Sequence, residues 1–263
     1  MSKKVLFIFG CQRSGTTATI IGLKERKEIK IFNETNDEIH RVSNDNNKIR
    51  LRKHGRLNRI FDNYKEPIIV VKPLVESQNA VELLDYFDNS SALWLYRDYR
   101  GVISSMIKKW GENAGRAMIN AILNPKIKNW RNEKIDPKIT KLVKALIENN
   151  TLNKYDYCAL FWYIRNNFYY EQALYNHCRI RLAKYTKLVS EISYLQNHIT
   201  NLNFDLKLGN NFYHSKSVGK GRVIKLNPIV EELCSNMMGR LDTDHQFQFS
   251  KYSYKSFEAF SDT

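Results

Sequence analysis

Four short runs punctuate the chain: VLFIF at Val5–Phe9, PIIVVK at Pro67–Lys72, ALWLY at Ala92–Tyr96 and IRLAKY at Ile180–Tyr185. The first three are apolar at nearly every position, which is the pattern of strands covered on both faces. Between the runs lie stretches with helical periodicity: Ala18–Lys24, Val75–Tyr86, Gly101–Trp110, Ile139–Glu148 and Asp156–Tyr175. Strands alternating with helices predict an α/β fold with a central parallel sheet, right-handed crossovers and helices on both faces. The 263 residues suffice for one domain with a real core. Ligands of such sheets sit beyond the carboxyl ends of the strands. Functional residues are therefore expected directly after the apolar runs.

A net charge of +15 directs the search toward an anionic partner, whether nucleic acid, an acidic membrane surface or a polyanionic small molecule. The apolar run behind Lys3 and Lys4 is too short for a signal peptide, and no window approaches a membrane span. Cys11, Cys158, Cys178 and Cys234 form no CxxC pair, so reduced thiols in a cytoplasm are expected rather than a disulfide framework. Two segments interrupt the strand–helix rhythm. Residues 41–66, dense in charge and asparagine, read as a solvated surface insertion, with a mobile cover over a bound anion as the other reading. Residues 150–176 carry Tyr, Phe and Trp at helical spacing, more often a core stripe than a pocket wall.

The first strand runs into FIFGCQRSGTT, Phe7–Thr17. A strand–loop–helix order there puts the N–H groups of Ser14, Gly15, Thr16 and Thr17 at a helix N-terminus, where unpaired donors and the helix dipole favour phosphate or sulfate. Gly10 and Gly15 keep the spacing of a Walker loop, GxxxxGK[ST]. The lysine position, however, is Thr16, and the cation has moved to Arg13. A guanidinium grips an oxyanion through two parallel hydrogen bonds and needs no metal to do so.

QRSGTT resembles the 5′-phosphosulfate loop of sulfotransferases that use 3′-phosphoadenosine 5′-phosphosulfate (PAPS). Its arginine form is similar to that of tyrosylprotein sulfotransferases and related bacterial enzymes. After the third run, YRDYRGVISSM places Arg97 at a strand end and Ser105 eight residues on, which resembles the family's 3′-phosphate motif. Lys109, one helical turn beyond Ser105, is a further candidate for that phosphate. KYTKLV resembles the segment whose tyrosine lines the nucleotide site, a role that falls to Tyr185. HSKSVGKGR, followed by VIK, is similar to the late loop that closes over the nucleotide. On that resemblance Ser217, Gly219, Lys220, Arg222 and Lys225 join the candidates.

The resemblance implies a three-layer, P-loop-like fold in a single domain over residues 1–263. Its nucleotide-binding core would span about 4–110 and 178–240, with an acceptor-facing helical region at about 110–176 that matches no family motif. It further implies PAPS as co-substrate, released as 3′-phosphoadenosine 5′-phosphate (PAP), and no metal. Lys72, at the end of PIIVVK, corresponds to the family's catalytic lysine and is expected to point into the same crevice. The histidine of the aryl branch is missing from KPLVES, whereas the tyrosylprotein branch places a glutamate about twenty residues after the loop arginine, where FNET supplies Glu34. Glu34, Lys72 and Arg13 are thus the expected catalytic set, with His40, His54 and His214 in reserve as bases.

The expected activity is sulfuryl transfer from PAPS to a hydroxyl of a small molecule. The abundance of Lys, Asn and Ile suggests an AT-rich genome, which points to a bacterial secondary metabolite, a cyanobacterial alkaloid among the candidates. A P-loop kinase or nucleotide hydrolase is the first alternative, and it would require a lysine after Gly15. A basic nucleic-acid-binding protein is the second, and it would interleave aromatics with its basic face. Here the aromatics cluster far from KIRLRKHGRLNR, so neither nucleic acid nor membrane is the expected partner.

Overall fold

The computed structural model describes residues 3–24, 26–42, 48–124, 126, 129–204, 206, 219, 221 and 223–258. β1 (Lys4–Gly10) leads into α1 (Thr16–Leu23), β2 (Ile29–Phe32), a hairpin of β3 (His40–Val42) and β4 (Lys48–Leu51), and α2 (His54–Asp62). β5 (Ile68–Val71) is followed by a 3-10 segment (Leu74–Asn79), α3 (Ala80–Tyr86), β6 (Ser90–Tyr96), α4 (Tyr99–Trp110), α5 (Ala114–Leu123), α6 (Pro137–Asn149) and α7 (Lys154–Glu171). After a second 3-10 turn (Leu174–Asn176) come β7 (Ile180–Lys184), α8 (Tyr185–Ser190), α9 (Ile192–Asn201) and α10 (Pro228–Glu258).

Five strands form one sheet in the order β2-β5-β1-β6-β7, each neighbouring pair parallel. The sheet is buried on both sides, and its side chains alternate between two cores. Phe7, Phe9, Val71, Trp94 and Tyr96 face a core shared with α3, α4, α5, α7 and α10. Leu6, Ile8, Val70, Leu93 and Leu95 face the other, against Ile20 and Leu23 of α1 and Tyr194, Leu195 and Ile199 of α9. Each fully buried side chain of this kind contributes roughly 1.5–3 kcal/mol. Two covered faces explain why the first three runs read as continuous apolar stretches.

The four expected strands are present, and β2 joins them at the sheet edge. Tyr185 opens α8 instead of ending β7, and α1 starts at Thr16, so both loop threonines lie in its first turn. The aromatic stripe of α7 is core: Leu160, Phe161, Trp162, Phe168 and Tyr169 are buried. Asn153 caps that helix, accepting from Tyr155 N at 2.7 Å, while Asp156 accepts from Asn153 N at 2.7 Å. Among the described residues no helix is long and apolar enough to cross a membrane.

The reading of residues 41–66 as a solvated insertion is corrected. Leu51, Leu57, Ile60 and Phe61 are buried in the larger core, so β4 and α2 are amphipathic elements of the fold itself. Arg50 meets Glu76 at 2.6 Å and Glu133 at 2.8 Å, which ties the hairpin to the 3-10 segment after β5. Glu76 also accepts from Leu51 N at 2.9 Å and Asn79 Nδ2 at 2.8 Å, so this buried carboxylate is fully engaged.

Candidate active site

The carboxyl ends of β1, β5 and β6, together with the start of α8, surround a cavity of about 450 Å³. Gln12, Arg13, Gly15, Thr16, Thr17 and Ala18 form one wall, and Arg97, Gly101, Ser104, Ser105, Lys108 and Trp110 another. Glu34, Leu74 and Tyr185 complete it. This is the crevice at which a parallel sheet binds its ligands.

The β1–α1 loop is shaped by backbone conformations that force its donors inward. Gly10 has φ +128°, and a Cβ there would lie 2.2 Å from the Leu95 carbonyl oxygen of the neighbouring strand. Gly15 has φ +96° and caps α1 without a side-chain bond; its Cβ would fall 2.1 Å from Cδ2 of Tyr185. Only glycine fits both demands. The first N–H groups of α1 have no intrahelical acceptor, so they and the helix dipole face the cavity. The buried Ser14 Oγ has no hydrogen-bond partner among the described residues.

The two arginines expected to hold anions are brought together. Arg13 donates from Nε to Ser105 Oγ at 3.0 Å, and its guanidinium lies 5.9 Å from the Trp110 ring centre. Arg97 donates to the Arg13 carbonyl at 3.4 Å and stacks 4.5 Å from the Tyr185 ring. Burial holds the Arg97 guanidinium below its usual pKa, and the charge of Arg13 adds to that, while Tyr185 and Asp98 oppose it. An anion between the two arginines would relieve both burial and repulsion. Asp98 caps α4, accepting from Gly101 N at 3.0 Å, and Trp162 Nε1 of α7 donates to the Arg97 carbonyl at 3.1 Å. Together these contacts fix the turn that carries Arg97.

Lys72 sits one residue beyond β5 with its side chain buried. Its ammonium donates to Thr17 Oγ1 at 3.1 Å and pairs with Glu34 Oε2 at 3.1 Å. Lys72 was expected to point into the crevice; it is buried and does not line the cavity itself, but its two partners, Glu34 and Thr17, do. Leu74, two residues on, is held by Arg165 of α7, which donates to its carbonyl at 2.7 Å. Burial lowers the Arg165 pKa to about 10, so the cation persists at neutral pH.

Of the sequence candidates, Arg13, Gly15, Thr16, Thr17, Glu34, Arg97, Ser105 and Tyr185 line one cavity, with Ser14 and Lys72 immediately behind it. Lys109 does not line it; Lys108, its neighbour on α4, does. The two lie three and four positions after Ser105, and either spacing shares its face of a helix, so sequence alone favoured neither. Lys225 is exposed, and its carbonyl accepts from Asn153 Nδ2 at 3.3 Å. Gly219 occupies an exposed turn with φ +76°. Ser217, Lys220, Arg222 and His214 lie outside the described residues. The backbone at Gly221 runs against the Arg100 carbonyl, which places that part of the late loop beside the start of α4. His40 is buried, its Nδ1 2.7 Å from the Asn36 carbonyl, and burial lowers its pKa. His54 packs 4.7 Å from the ring of Tyr86. Neither histidine lines the cavity, whereas Glu34 does. Trp110 and Lys108 were missed in the sequence, as were all contacts between Glu34 and Lys72. Residues 111–176 contribute no described side chain to the cavity.

No family profile matches the chain, and no curated protein matches it in sequence. Solved structures do match in shape. A sulfotransferase from Alicyclobacillus acidocaldarius superposes with a TM-score of 0.52 at 10% identity, over 96% of this chain and 100% of that one. The sulfotransferase domain of the curacin biosynthetic pathway gives 0.56 at 12% identity, over 90% and 98%. The sulfotransferase domain of the Synechococcus PCC 7002 olefin synthase gives 0.53 at 12% identity, over 90% and 96%. The chain therefore has the fold of these sulfotransferases, an α/β sheet of P-loop-like build.

Proposed function

We propose that the chain transfers a sulfuryl group from PAPS to a hydroxyl of a small-molecule acceptor. The observation that carries this reading is the convergence on one cavity of a helix N-terminus, Arg13, Arg97 with Ser105, and the Lys72–Glu34 pair. The donor bears two anionic groups, and the cations lining the cavity come from two elements, the β1–α1 loop and the β6–α4 turn with α4. The first turn of α1 with Arg13 suits the 5′-phosphosulfate, and Arg97 with Ser105, Tyr185 and Lys108 suits the 3′-phosphate.

In the transfer, the acceptor oxygen forms a bond to sulfur as the bond from sulfur to the bridging phosphate oxygen breaks. The bonding electrons stay on the leaving phosphate, where Arg13, Lys72, Thr17 and the loop N–H groups stabilise the growing charge. Glu34 takes the acceptor's proton, giving a sulfate ester and PAP. The nucleotide-binding core is assigned to about 4–110 and 178–240. One structural neighbour is by name a domain from a biosynthetic pathway and another a domain from an olefin synthase, which supports a biosynthetic small molecule as acceptor.

Calorimetric titration with PAP and with AMP, which lacks the 3′-phosphate, tests the assignment. Arg97→Ala should weaken PAP at least about 30-fold, the loss of a charged hydrogen-bonded pair, and leave AMP nearly unchanged. Equal weakening of both nucleotides would refute a 3′-phosphate site at Arg97.

A further inference from the structure

Glu34 and Lys72 hold each other in the place where the transfer needs both for other work. The ammonium of Lys72 has three donors. One meets Glu34 Oε2 and one meets Thr17 Oγ1, each at 3.1 Å. Lys72 is 5% exposed and does not itself line the cavity, whereas the carboxylate and the threonine that its ammonium touches both do. Thr17 belongs to the first turn of α1. An oxyanion drawn to that helix end arrives beside the hydroxyl that Lys72 already touches.

Two anions would then compete for one ammonium. A buried cation left without an anion is strongly destabilising, and a carboxylate or a sulfuryl oxygen can each supply that partner. The partners differ in freedom to move. Lys72 is anchored at the end of a central strand, whereas Glu34 is half-buried on the loop after β2. Glu34 is also the one carboxylate among the described residues lining the cavity, against the cations Arg13, Arg97 and Lys108.

We propose that Glu34 is a resident surrogate for the sulfuryl group: it occupies Lys72 while the donor is away and is displaced into the cavity when the donor binds. The proposal rests on the donor assignment above. Its consequence is an order of events. The carboxylate is released to accept a proton only after the donor is seated, so the donor binds first and the acceptor second.

Titration calorimetry with PAPS and with PAP, which lacks the sulfuryl group, tests this without knowledge of the acceptor. Glu34→Gln removes the competing charge, so PAPS should bind about tenfold tighter, or about 1.4 kcal/mol. PAP keeps the phosphate that Lys72 also serves but lacks the sulfuryl group, so it should tighten by no more than about threefold. In a Lys72→Met background the same Glu34→Gln change should have less than about a twofold effect on PAPS, the coupling that a double-mutant cycle isolates. Should Lys72→Met fail to fold, the contrast between PAPS and PAP in Glu34→Gln decides alone. Unchanged or weaker PAPS binding by Glu34→Gln, or equal tightening of PAPS and PAP, overturns the exchange. A wild-type chain that binds neither ligand overturns the donor assignment as well.

Discussion

Replacing Gly15 by alanine probes the anion loop at its tightest point. Two independent penalties follow from the structure. The residue sits at φ +96°, a left-handed conformation that costs an L-residue roughly 1–2 kcal/mol. The new methyl would lie 2.1 Å from Tyr185 Cδ2, and overpacking of this kind costs about 1–3 kcal/mol. Their sum is about 2–5 kcal/mol, or a melting point lowered by about 4–20 °C at 2–4 °C per kcal/mol. The ring cannot yield quietly, because it is buried and stacked 4.5 Å from the Arg97 guanidinium. Circular dichroism melts of Gly15→Ala, Tyr185→Ala and the double variant separate the two contributions. With the ring removed, Gly15→Ala should cost only the backbone part, about 1–2 kcal/mol. A melting point for Gly15→Ala within about one degree of wild type would refute both the loop conformation and the contact with Tyr185.

Other consequences follow from buried charge. Burial foremost, with the charges of His245 and Arg181, lowers the His198 pKa from 6.5 to about 3, and burial with Lys184 lowers His245 to about 4. Unfolded histidines gain protons below pH 6.5 while these two stay neutral, so the stability they lend is complete above that pH and fades below it. The slope is about 1.4 kcal/mol per pH unit for each histidine. Urea unfolding at pH 7.5 and pH 5 should differ by roughly 4 kcal/mol, and equal midpoints would contradict the burial of this pair. Glu76→Ala removes one of the two carboxylates on Arg50, whose side chain is only 11% exposed, and leaves Glu133 as the other, so it should cost about 1–3 kcal/mol by chemical denaturation. A loss under about 1 kcal/mol would mean that the hairpin is held by its apolar contacts alone. Arg13→Ala should weaken both PAP and AMP, since it serves the shared 5′ group; loss confined to PAP would reassign it to the 3′-phosphate.

The strands that were legible in the sequence are those buried on both faces. β2, IKIF, escaped because it is four residues long, lies at the sheet edge and carries Lys30 at an intermediate position. β4 and α2 escaped for a different reason. Their apolar positions, Leu51, Leu57, Ile60 and Phe61, are spaced for burial, but six lysines and arginines from Lys48 to Arg59 dominate the segment's average. Site residues within one loop or one helix, such as Arg13 to Thr17 and Arg97 with Ser105, could be read from local spacing. The meeting of Thr17, Glu34 and Lys72 could not. It depends on β5 lying between β1 and β2, a pairing that local pattern does not encode. The same limit applies to Lys108 and Lys109, which helical spacing cannot separate.

The central claim is that the cavity between α1 and α4 takes a 3′-phosphorylated adenosine nucleotide. Thermal unfolding with PAP, beside AMP and beside ATP with magnesium, tests it most directly. At a hundred times its dissociation constant a ligand stabilises the fold by about 2.7 kcal/mol, a rise of roughly 5–10 °C for a chain of this size. A rise with PAP that AMP and magnesium ATP do not match is the predicted result. Stabilisation by magnesium ATP with none by PAP would make FIFGCQRSGTT a kinase-like loop and contradict the account.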